Sequence, residues 1–347
     1  MTPRELTLDA SASRGAGLLR GVTRVVGIVI IALVVAGMTA WAAGALYYSS
    51  RGGSRTGAIL AIAFVLATVL AFALLPRRRR TLVGFFVAFG VVLVWWLSVH
   101  ASNDRDWLPE VAVTPWATIN GDLVTVHGVR NFEYRTETDF TPHWEDRTYD
   151  LRALDSGDLI AVYWMGKAIA HIMLSFGFGG RDYLAVSIET RKARGQSYST
   201  IAGFFKQYEL VYIAADERDV IGVRTTYRQP QEDVYVYRLN VPRENIRRVF
   251  LDYIRTMNDM REHPRFYNTL TTNCTTTIST HSHVNPGYPP MSWKVLLSGY
   301  VPRYAYDLGK LDGTLPFPEL ERRVWVNDRA HAAGRDPAFS QRIREVR

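Results

Sequence analysis

The chain has a single cysteine, Cys274, and its surroundings favour a reactive thiol. Asn273 precedes it, and Asn is a preferred helix N-cap, so the sequence predicts a short helix from Cys274 to about Thr280. A thiol at the start of a helix faces the positive end of the peptide dipoles, which lowers its pKa and favours the nucleophilic thiolate. A buried structural thiol is the alternative, although the polar neighbours Thr275 to Thr277 weaken it.

A nucleophilic cysteine needs a base, and His171 is the strongest candidate among the eight histidines. It lies inside an apolar strand, Ala-Ile-Ala-His-Ile-Met-Leu-Ser-Phe-Gly-Phe, where an imidazole is costly unless its nitrogens are paired. The alternative is a structural histidine of the core whose ring nitrogens are hydrogen-bonded. His281 and His283 lie on the Cys274 helix or just past it, which makes pairing with Cys274 awkward.

The imidazole of a Cys–His pair also needs a group that orients it, and Glu189 is the candidate. Gly179 to Asp182 predicts a hairpin turn, so the strand after it returns alongside the His171 strand. The residue opposite His171 is then Thr190 or, one register over, Glu189. Glu189 either holds the imidazole tautomer or is a solvated edge charge, because sequence does not settle register.

Metal binding is a competing use of Cys274, His281 and His283. Their spacing matches no strong zinc pattern, and the chain has no second cysteine to complete such a site or an internal disulfide. We therefore expect neither a metal nor another cofactor.

The elements that must position these residues follow from the pattern of apolar positions. Strands are predicted over residues 159–164, 168–178, 183–190, 208–215, 219–225 and 233–241. Apolar residues at spacings of three and four then predict a helix from Pro242 to about His263. The tail from Tyr288 is rich in Pro, Gly and aromatic residues, and we expect it to wrap the domain surface. This order predicts an α+β domain with an antiparallel sheet.

Three uncharged apolar runs precede this domain, over residues 25–48, 56–76 and 81–103. A bilayer core needs about 20 apolar helical residues, and each run is long enough. The sequence therefore predicts residues 1–103 as a tail with three transmembrane helices, and residues 104–347 as one outer domain.

The net charge of +8 first suggests a nucleic-acid partner, but its distribution excludes one. Residues 1–104 hold ten Arg and three acids, whereas the remaining 243 residues are almost neutral. The Arg residues of the tail and the run Arg77–Arg80 predict a cytoplasmic N-terminus and a periplasmic domain on a bacterial inner membrane. Four domain arginines, Arg191, Arg218, Arg224 and Arg228, are candidates for headgroup binding, although exposed ion pairs of little energetic value are the simpler interpretation.

Seven short segments of the outer domain together carry a family resemblance. They are Ser-Asn-Asp-Arg-Asp-Trp at 102–107, Arg-Asn-Phe-Glu-Tyr-Arg at 130–135, Arg-Thr-Tyr-Asp-Leu at 147–151, Ala-His-Ile-Met-Leu-Ser-Phe-Gly-Phe at 170–178, Ser-Ile-Glu-Thr-Arg at 187–191, Tyr-Glu-Leu-Val-Tyr at 208–212 and Phe-Tyr-Asn-Thr-Leu-Thr-Thr-Asn-Cys-Thr-Thr at 266–276. The stretch from Ser102 to about Pro302 resembles the Lnb N-terminal periplasmic domain family. The order of His strand, hairpin and Asn-Cys helix is also similar to circularly permuted NlpC-type papain folds such as lecithin:retinol acyltransferase.

The resemblance implies a permuted papain-like fold with Cys274 as nucleophile and His171 as base. It also implies acyl transfer, because the member that gave the family its name N-acylates bacterial lipoproteins, with phospholipid as the expected donor. Phospholipid and lipoprotein acceptors are then the expected partners. In that member the soluble domain precedes the membrane spans, whereas here three spans come first.

Three functions follow as hypotheses. The first is a membrane-anchored cysteine acyltransferase with a thioester on Cys274, an oxyanion held by backbone N–H groups and support from Asn273. The second keeps the Cys–His chemistry for an amide of peptidoglycan or protein. The third is a non-enzymatic tethered scaffold, which predicts that Cys274 lies away from His171.

Overall fold

The N-terminal unit consists of three long apolar helices. In the computed structural model, which describes residues 3–49 and 55–345 with side chains from residue 21 onward, the chain divides into two compact units, Met1–His100 and Ala101–Arg347. The helices of the first unit are α1 (Pro3–Tyr48), α2 (Arg55–Leu74) and α3 (Arg78–Ser98). Segments Gly21–Tyr48, Arg55–Leu74 and Arg78–Ser98 are long and apolar enough to cross a bilayer.

Small and aromatic side chains join the three helices. Ala42, Ala61 and Val92 form a buried cluster, and small residues let helix backbones approach closely. The Trp41 ring packs 5.6 Å from Phe89 and 5.3 Å from Trp96, measured between ring centroids.

The predicted and observed limits of these segments differ at their ends. The predicted third span, residues 81–103, extends past the end of α3 at Ser98. The predicted first span lies within α1, which begins well before it. Residues 50–54 and the side chains of the predicted tail up to residue 20 lie outside the described part of the chain.

The second unit contains ten strands and eight helices among its described residues. The strands are β1 (Trp116–Asn120), β2 (Leu123–Arg130), β3 (Glu133–Tyr134), β4 (Phe140–Thr141), β5 (Trp144–Asp150), β6 (Leu154–Tyr163), β7 (Ala170–Phe178), β8 (Asp182–Arg191), β9 (Glu209–Ala215) and β10 (Asp233–Arg238). The helices are α4 (Glu217–Gly222), α5 (Arg243–Glu262), α6 (Cys274–Ser282), α7 (Trp293–Leu296), α8 (Val301–Asp307), α9 (Phe317–Val324), α10 (Asn327–Ala333) and α11 (Phe339–Arg342).

One large sheet organises this unit. Its strand order is β1-β2-β9-β8-β7-β6-β10, with β5 also paired to β2. Every pairing is antiparallel except one contact between Arg130 of β2 and Ala215 of β9, which is parallel. The mixed α+β architecture confirms the predicted fold class, while the permuted papain-like arrangement stays a prediction.

Helices cover both faces of the sheet. On one face Phe176 of β7 packs edge-on against Phe250 and Tyr253 of α5. On the other face Met173, also on β7, belongs to a buried cluster that includes Val220 of α4. Because successive strand residues point to opposite faces, β7 contributes to both cores.

Two predictions about secondary structure were wrong. Residues 219–225 form part of α4 and the π-helical turn Val223–Tyr227, not a strand. Asp216 caps α4 by accepting a hydrogen bond from the Arg218 N–H, and this cap overrides the strand preference of the β-branched residues that follow. The tail from Tyr288 does not merely wrap the surface, because it supplies α7 to α11, and its Phe339 and Ile343 side chains belong to the core.

Candidate active site

Cys274 occupies the first position of α6, as the sequence predicts. The Asn273 carboxamide oxygen accepts a hydrogen bond from the Thr276 N–H at 2.9 Å, and the Thr276 hydroxyl accepts one from the Asn273 N–H at 2.9 Å. This reciprocal capping box fixes where the helix starts. It leaves the Cys274 thiol at the positive end of the helix, half-buried rather than enclosed.

The N-terminus of α6 lies where two neighbouring strands separate. Pairing between β7 and β8 runs from Phe178↔Asp182 to Leu174↔Val186 and does not continue to His171. The backbone N–H of Ile172, which has no partner on β8, is near the Cys274 sulfur and lowers the pKa of the thiol. The opening of the sheet therefore brings the thiol to the strand that carries His171.

His171 is tied to its neighbours through one ring nitrogen. Its Nε2 lies 2.6 Å from the Ser187 hydroxyl and 3.3 Å from the Glu189 carboxylate. The Ser187 hydroxyl donates to Glu189 at 2.8 Å, so Nε2–H must be the donor to Ser187. The imidazole also lies close enough to the Cys274 side chain for each to shift the pKa of the other, and both line the same cleft.

Glu189 is the residue opposite His171 when the observed register is extended, and Thr190 is not. The Glu189 carboxylate also accepts a hydrogen bond at 3.0 Å from the Arg224 guanidinium, which is almost fully buried. Arg224 lies next to Glu232 as well, with a closest separation of 3.7 Å. A fixed positive charge behind the carboxylate keeps it ionised and holds it toward the imidazole.

The charges of this group shift three pKa values. Burial would lower the pKa of His171, but the Glu189 carboxylate and the Cys274 side chain outweigh burial and raise it to about 9. Burial would raise the pKa of the Cys274 thiol, but the hydrogen bond and positive charge of His171 lower it below its usual value. Burial would also raise the pKa of Glu189, and His171 with Arg224 holds it well below the usual range. The arrangement favours a thiolate–imidazolium pair.

The Asn273 side chain serves the helix cap. Besides the Thr276 N–H, its oxygen accepts the Thr275 hydroxyl at 2.9 Å, and its amide nitrogen donates to the Thr269 carbonyl at 2.7 Å. These contacts support the position of Cys274, and a contribution of Asn273 to an oxyanion stays a prediction.

A cleft of about 510 Å³ opens over these groups. Its lining includes Cys274, His171, Glu189, Trp164, Tyr198 and Leu296. The Trp164 and Tyr198 side chains are exposed. The cleft therefore combines an ionic group at its base with an apolar entrance.

The other histidines of the Cys274 helix have different surroundings. His281 is buried, with its Nδ1 2.7 Å from Asp252 and its Nε2 2.7 Å from the Tyr212 hydroxyl. His283 packs against the Tyr288 ring. Among the described residues, no group of three His, Cys, Asp or Glu side chains has the geometry to hold a metal ion.

Two residues of the site were not assigned by sequence reasoning. Ser187 is two positions before Glu189 on the same strand, so both point to one face, and this alternation is the signal that finds it. The expectation of an exposed ion pair is wrong for Arg224, because its side chain is 4% exposed. Because the sequence predicts a strand over residues 219–225, it does not predict the helical segment in which the Arg224 side chain is buried. Arg191 is buried too, and donates to the Val111 and Ala112 carbonyls.

The fold and site define a class: an α+β domain, preceded by three apolar helices, with a Cys–His–Glu constellation at the base of a cleft. Residues 140–299 match the family model described as the Lnb N-terminal periplasmic domain, which confirms the resemblance found in the sequence. Together the match and the apolar helices indicate a membrane-associated periplasmic protein. Comparisons with curated proteins and with solved structures found no match to the chain.

Proposed function

We propose that this protein is a membrane-anchored periplasmic cysteine acyltransferase that takes an acyl group from a lipid ester. The observation that carries the proposal is the contact between the Cys274 thiol and the His171 imidazole at a helix start. A non-enzymatic scaffold predicts these side chains apart, whereas both line the same cleft and each shifts the pKa of the other. The predicted topology, with a cytoplasmic N-terminus on the inner membrane, places this site outside the cytoplasm.

In the first step the Cys274 sulfur attacks the ester carbonyl carbon. A sulfur–carbon bond forms, and the tetrahedral oxyanion collapses with cleavage of the carbon–oxygen bond to the leaving lysolipid. Because Nε2 of His171 is engaged by Ser187 and Glu189, we assign Nδ1 to the thiol. The imidazolium gives its proton to the departing alkoxide, and the acyl group remains as a thioester on Cys274.

The start of α6 supplies donors for the oxyanion. The N–H groups of Cys274 and Thr275 belong to the first turn, where a helix has no acceptor for them. Backbone donors fixed before the reaction stabilise the developing negative charge without reorganisation, and for scale the removal of a side-chain oxyanion donor costs about 3 kcal/mol.

In the second step an amine attacks the thioester carbonyl. A nitrogen–carbon bond forms, the sulfur–carbon bond breaks, and His171 accepts the proton that the amine loses. The thiolate and imidazolium are restored, and the product is an N-acyl amide. Water in place of the amine gives a free fatty acid, so exclusion of water decides between transfer and hydrolysis.

The choice of a lipid ester rests on the anchor and on the cleft entrance. Three apolar helices hold the chain to a bilayer, which raises the local concentration of a substrate that does not leave it. Trp164, Tyr198 and Leu296 give the cleft apolar walls suited to an acyl chain.

An amidase or peptidase of the cell envelope is the second candidate. The observation that favours it is the charged part of the cleft lining, where Arg228, Arg224 and Glu232 lie. These groups form ion pairs with one another, including one of 2.7 Å between Arg228 and Glu232. Their charges are therefore largely compensated, and this makes the lipid ester the stronger proposal.

The test is capture of the acyl-enzyme. The full chain is reconstituted in proteoliposomes whose phospholipid carries an alkyne-tagged acyl chain, then denatured, coupled to a fluorophore and separated on a gel. We expect a hydroxylamine-sensitive adduct in the wild type and none in Cys274→Ala, with Thr280→Ala on the same helix as a matched control. A lipopeptide with a free N-terminus should discharge the adduct into an amide.

Persistence of the adduct in Cys274→Ala contradicts the mechanism. Cleavage of a peptidoglycan fragment by the wild type, without any lipid adduct, supports the amidase instead. Discharge of the adduct to fatty acid alone, with the lipopeptide present, makes the protein a lipid hydrolase.

A further inference from the structure

Four segments surround the entrance to the cleft, and we call them the mouth segments: residues 164–169, 192–208, 264–273 and 291–299. All four contribute to the cleft lining. Backbone contacts join them in pairs: the Gly299 N–H donates to the Ala168 carbonyl at 3.0 Å, and the Thr269 N–H donates to the Gly203 carbonyl at 3.3 Å. The mouth segments therefore form two joined pairs, and together they make up the rim of the cleft.

Exposed apolar side chains of the domain are concentrated on this rim. Among the described residues from Ala101 onward, fourteen large hydrophobic side chains are exposed, and ten lie in the mouth segments. They include Trp164, Met165 (65% exposed), Ile201 (59% exposed), Leu270, Trp293 and Leu296. An apolar patch of this kind on one face marks an interaction surface rather than ordinary surface composition.

The charged residues of the rim are all basic. The mouth segments contain Lys167, Lys192, Arg194, Lys206, Arg265 and Lys294, but no Asp or Glu. The whole chain has five lysines, and four of them lie here. Several of these bases pair with acids of neighbouring elements, such as Lys294 with Asp307 at 2.8 Å, whereas Lys167 is exposed beside Met165.

This combination matches the outer boundary of a bilayer. Trp and Tyr rings favour the headgroup region, aliphatic side chains enter the acyl boundary, and Lys side chains reach anionic phosphates. Carboxylates on such a rim would be repelled by anionic headgroups, and the segments have none. The opposite end of the β7–β8 hairpin is different, because its turn is Gly-Gly-Arg-Asp.

We infer that the mouth segments dock on the headgroup surface of the bilayer that holds the three apolar helices, so that the cleft opens directly into the outer leaflet. The occupant is phospholipid, not a second protein. The inference names the route through which the lipid ester enters the cleft. It rests on the proposed function for the identity of that substrate. Docking itself does not require catalysis, so the two are tested separately.

The test measures the depth of a fluorophore in the membrane. Cys274→Ser removes the only cysteine and gives an inactive full chain into which Met165→Cys or Arg181→Cys is introduced. Each variant is labelled with an environment-sensitive dye in nanodiscs of phosphatidylcholine and phosphatidylglycerol that hold one chain each. Arg181, in the β7–β8 turn, is the matched control at the far end of the hairpin.

We expect shallow spin-labelled lipid to quench the dye at position 165 at least twofold and to leave the dye at position 181 nearly unchanged. Adding Lys167→Glu and Trp293→Ser to the Met165→Cys chain should restore most of the fluorescence. Equal quenching at the two positions overturns the inference. The inference is also overturned if the protein forms dimers in detergent, detected by mass, and the dye at position 165 is shielded in them. The rim would then bind a second copy of the chain.

Formation of the acyl-enzyme adduct by the wild type, measured separately, distinguishes failure of the docking inference from failure of the proposed function. Loss of docking with the adduct retained refutes the membrane route but keeps the acyltransferase. Docking retained without an adduct refutes the acyltransferase but keeps the membrane surface.

Discussion

A histidine lies at each end of α6, His171 beside its start and His281 near its end, and the two histidines have different partners. At the start of the helix, Cys274 meets His171, whose Nε2 is held by Ser187 and Glu189. At the end of the helix, His281 uses both ring nitrogens, one for Asp252 and one for the Tyr212 hydroxyl.

The difference shows what makes a histidine available for proton transfer. The Asp252 carboxylate accepts a hydrogen bond from Nδ1–H of His281, so Nε2 of the neutral ring accepts one from the Tyr212 hydroxyl. The ring also stacks 4.0 Å from Tyr253. His281 therefore has no ring nitrogen left for a reaction. His171 has a carboxylate on one side and a thiol on the other. One helix thus carries a reactive pair at its start and a structural one at its end.

The largest effect should come from removing the nucleophile. In Cys274→Ser the side chain keeps its place in the helix cap, but a hydroxyl is a far weaker nucleophile than a thiolate. The thioester can no longer form, and we expect acylation of the serine as an ester to be slower by more than about a thousandfold, measured as total tagged adduct. Circular dichroism that matches the wild type is the control for folding, and an adduct of normal yield in the folded variant contradicts the role of Cys274.

Removing His171 should have the next largest effect and reverse the pKa shift of the thiol. Burial raises the pKa of the Cys274 thiol and His171 lowers it, so in His171→Ala burial and the Glu189 charge are opposed only by the Ile172 N–H. The thiolate fraction at pH 7 should then fall about tenfold or more, measured as the rate of iodoacetamide alkylation. An alkylation rate equal to that of the wild type refutes the pairing of the two side chains.

Glu189→Gln should give a smaller effect confined to one limb of the pH profile. The carboxylate raises the pKa of His171 to about 9, so the imidazolium persists up to about that pH, and activity is lost as pH rises through it. Without the charge the pKa of His171 falls, and the alkaline limb of the adduct rate should move to lower pH. An unmoved limb contradicts the orienting role of Glu189 and identifies it as an edge charge.

Changing the other end of α6 should alter stability rather than chemistry. His281→Phe keeps a flat ring beside Tyr253 but leaves Asp252 and the Tyr212 hydroxyl without their partner, which costs about 1–3 kcal/mol. We expect a lower unfolding temperature in detergent and an adduct rate per folded molecule within about twofold of the wild type. A loss as large as that of His171→Ala would show that the two ends are coupled.

Local signals in the sequence predicted the elements that carry the site. The Asn273 cap, the continuous apolar run of β7 and the Gly-Gly turn each act over a few residues, so they place Cys274 at a helix start and His171 on a strand. The prediction of a strand over 219–225 was wrong because β-branched residues outweighed the local Asp216 cap, and because the ion pairs that accompany the burial of Arg224 come from residues distant in the chain.

By itself the sequence determined the membrane-anchored plan, the α+β class, and the residue types capable of nucleophilic chemistry, because hydrophobic length, periodicity and capping are local properties. The tertiary structure decided which of those residues meet. It selected Glu189 over Thr190 through a register that depends on strand pairing, and added Ser187 and Arg224. It also gathered four distant segments into one apolar, basic rim, which no single stretch of sequence contains.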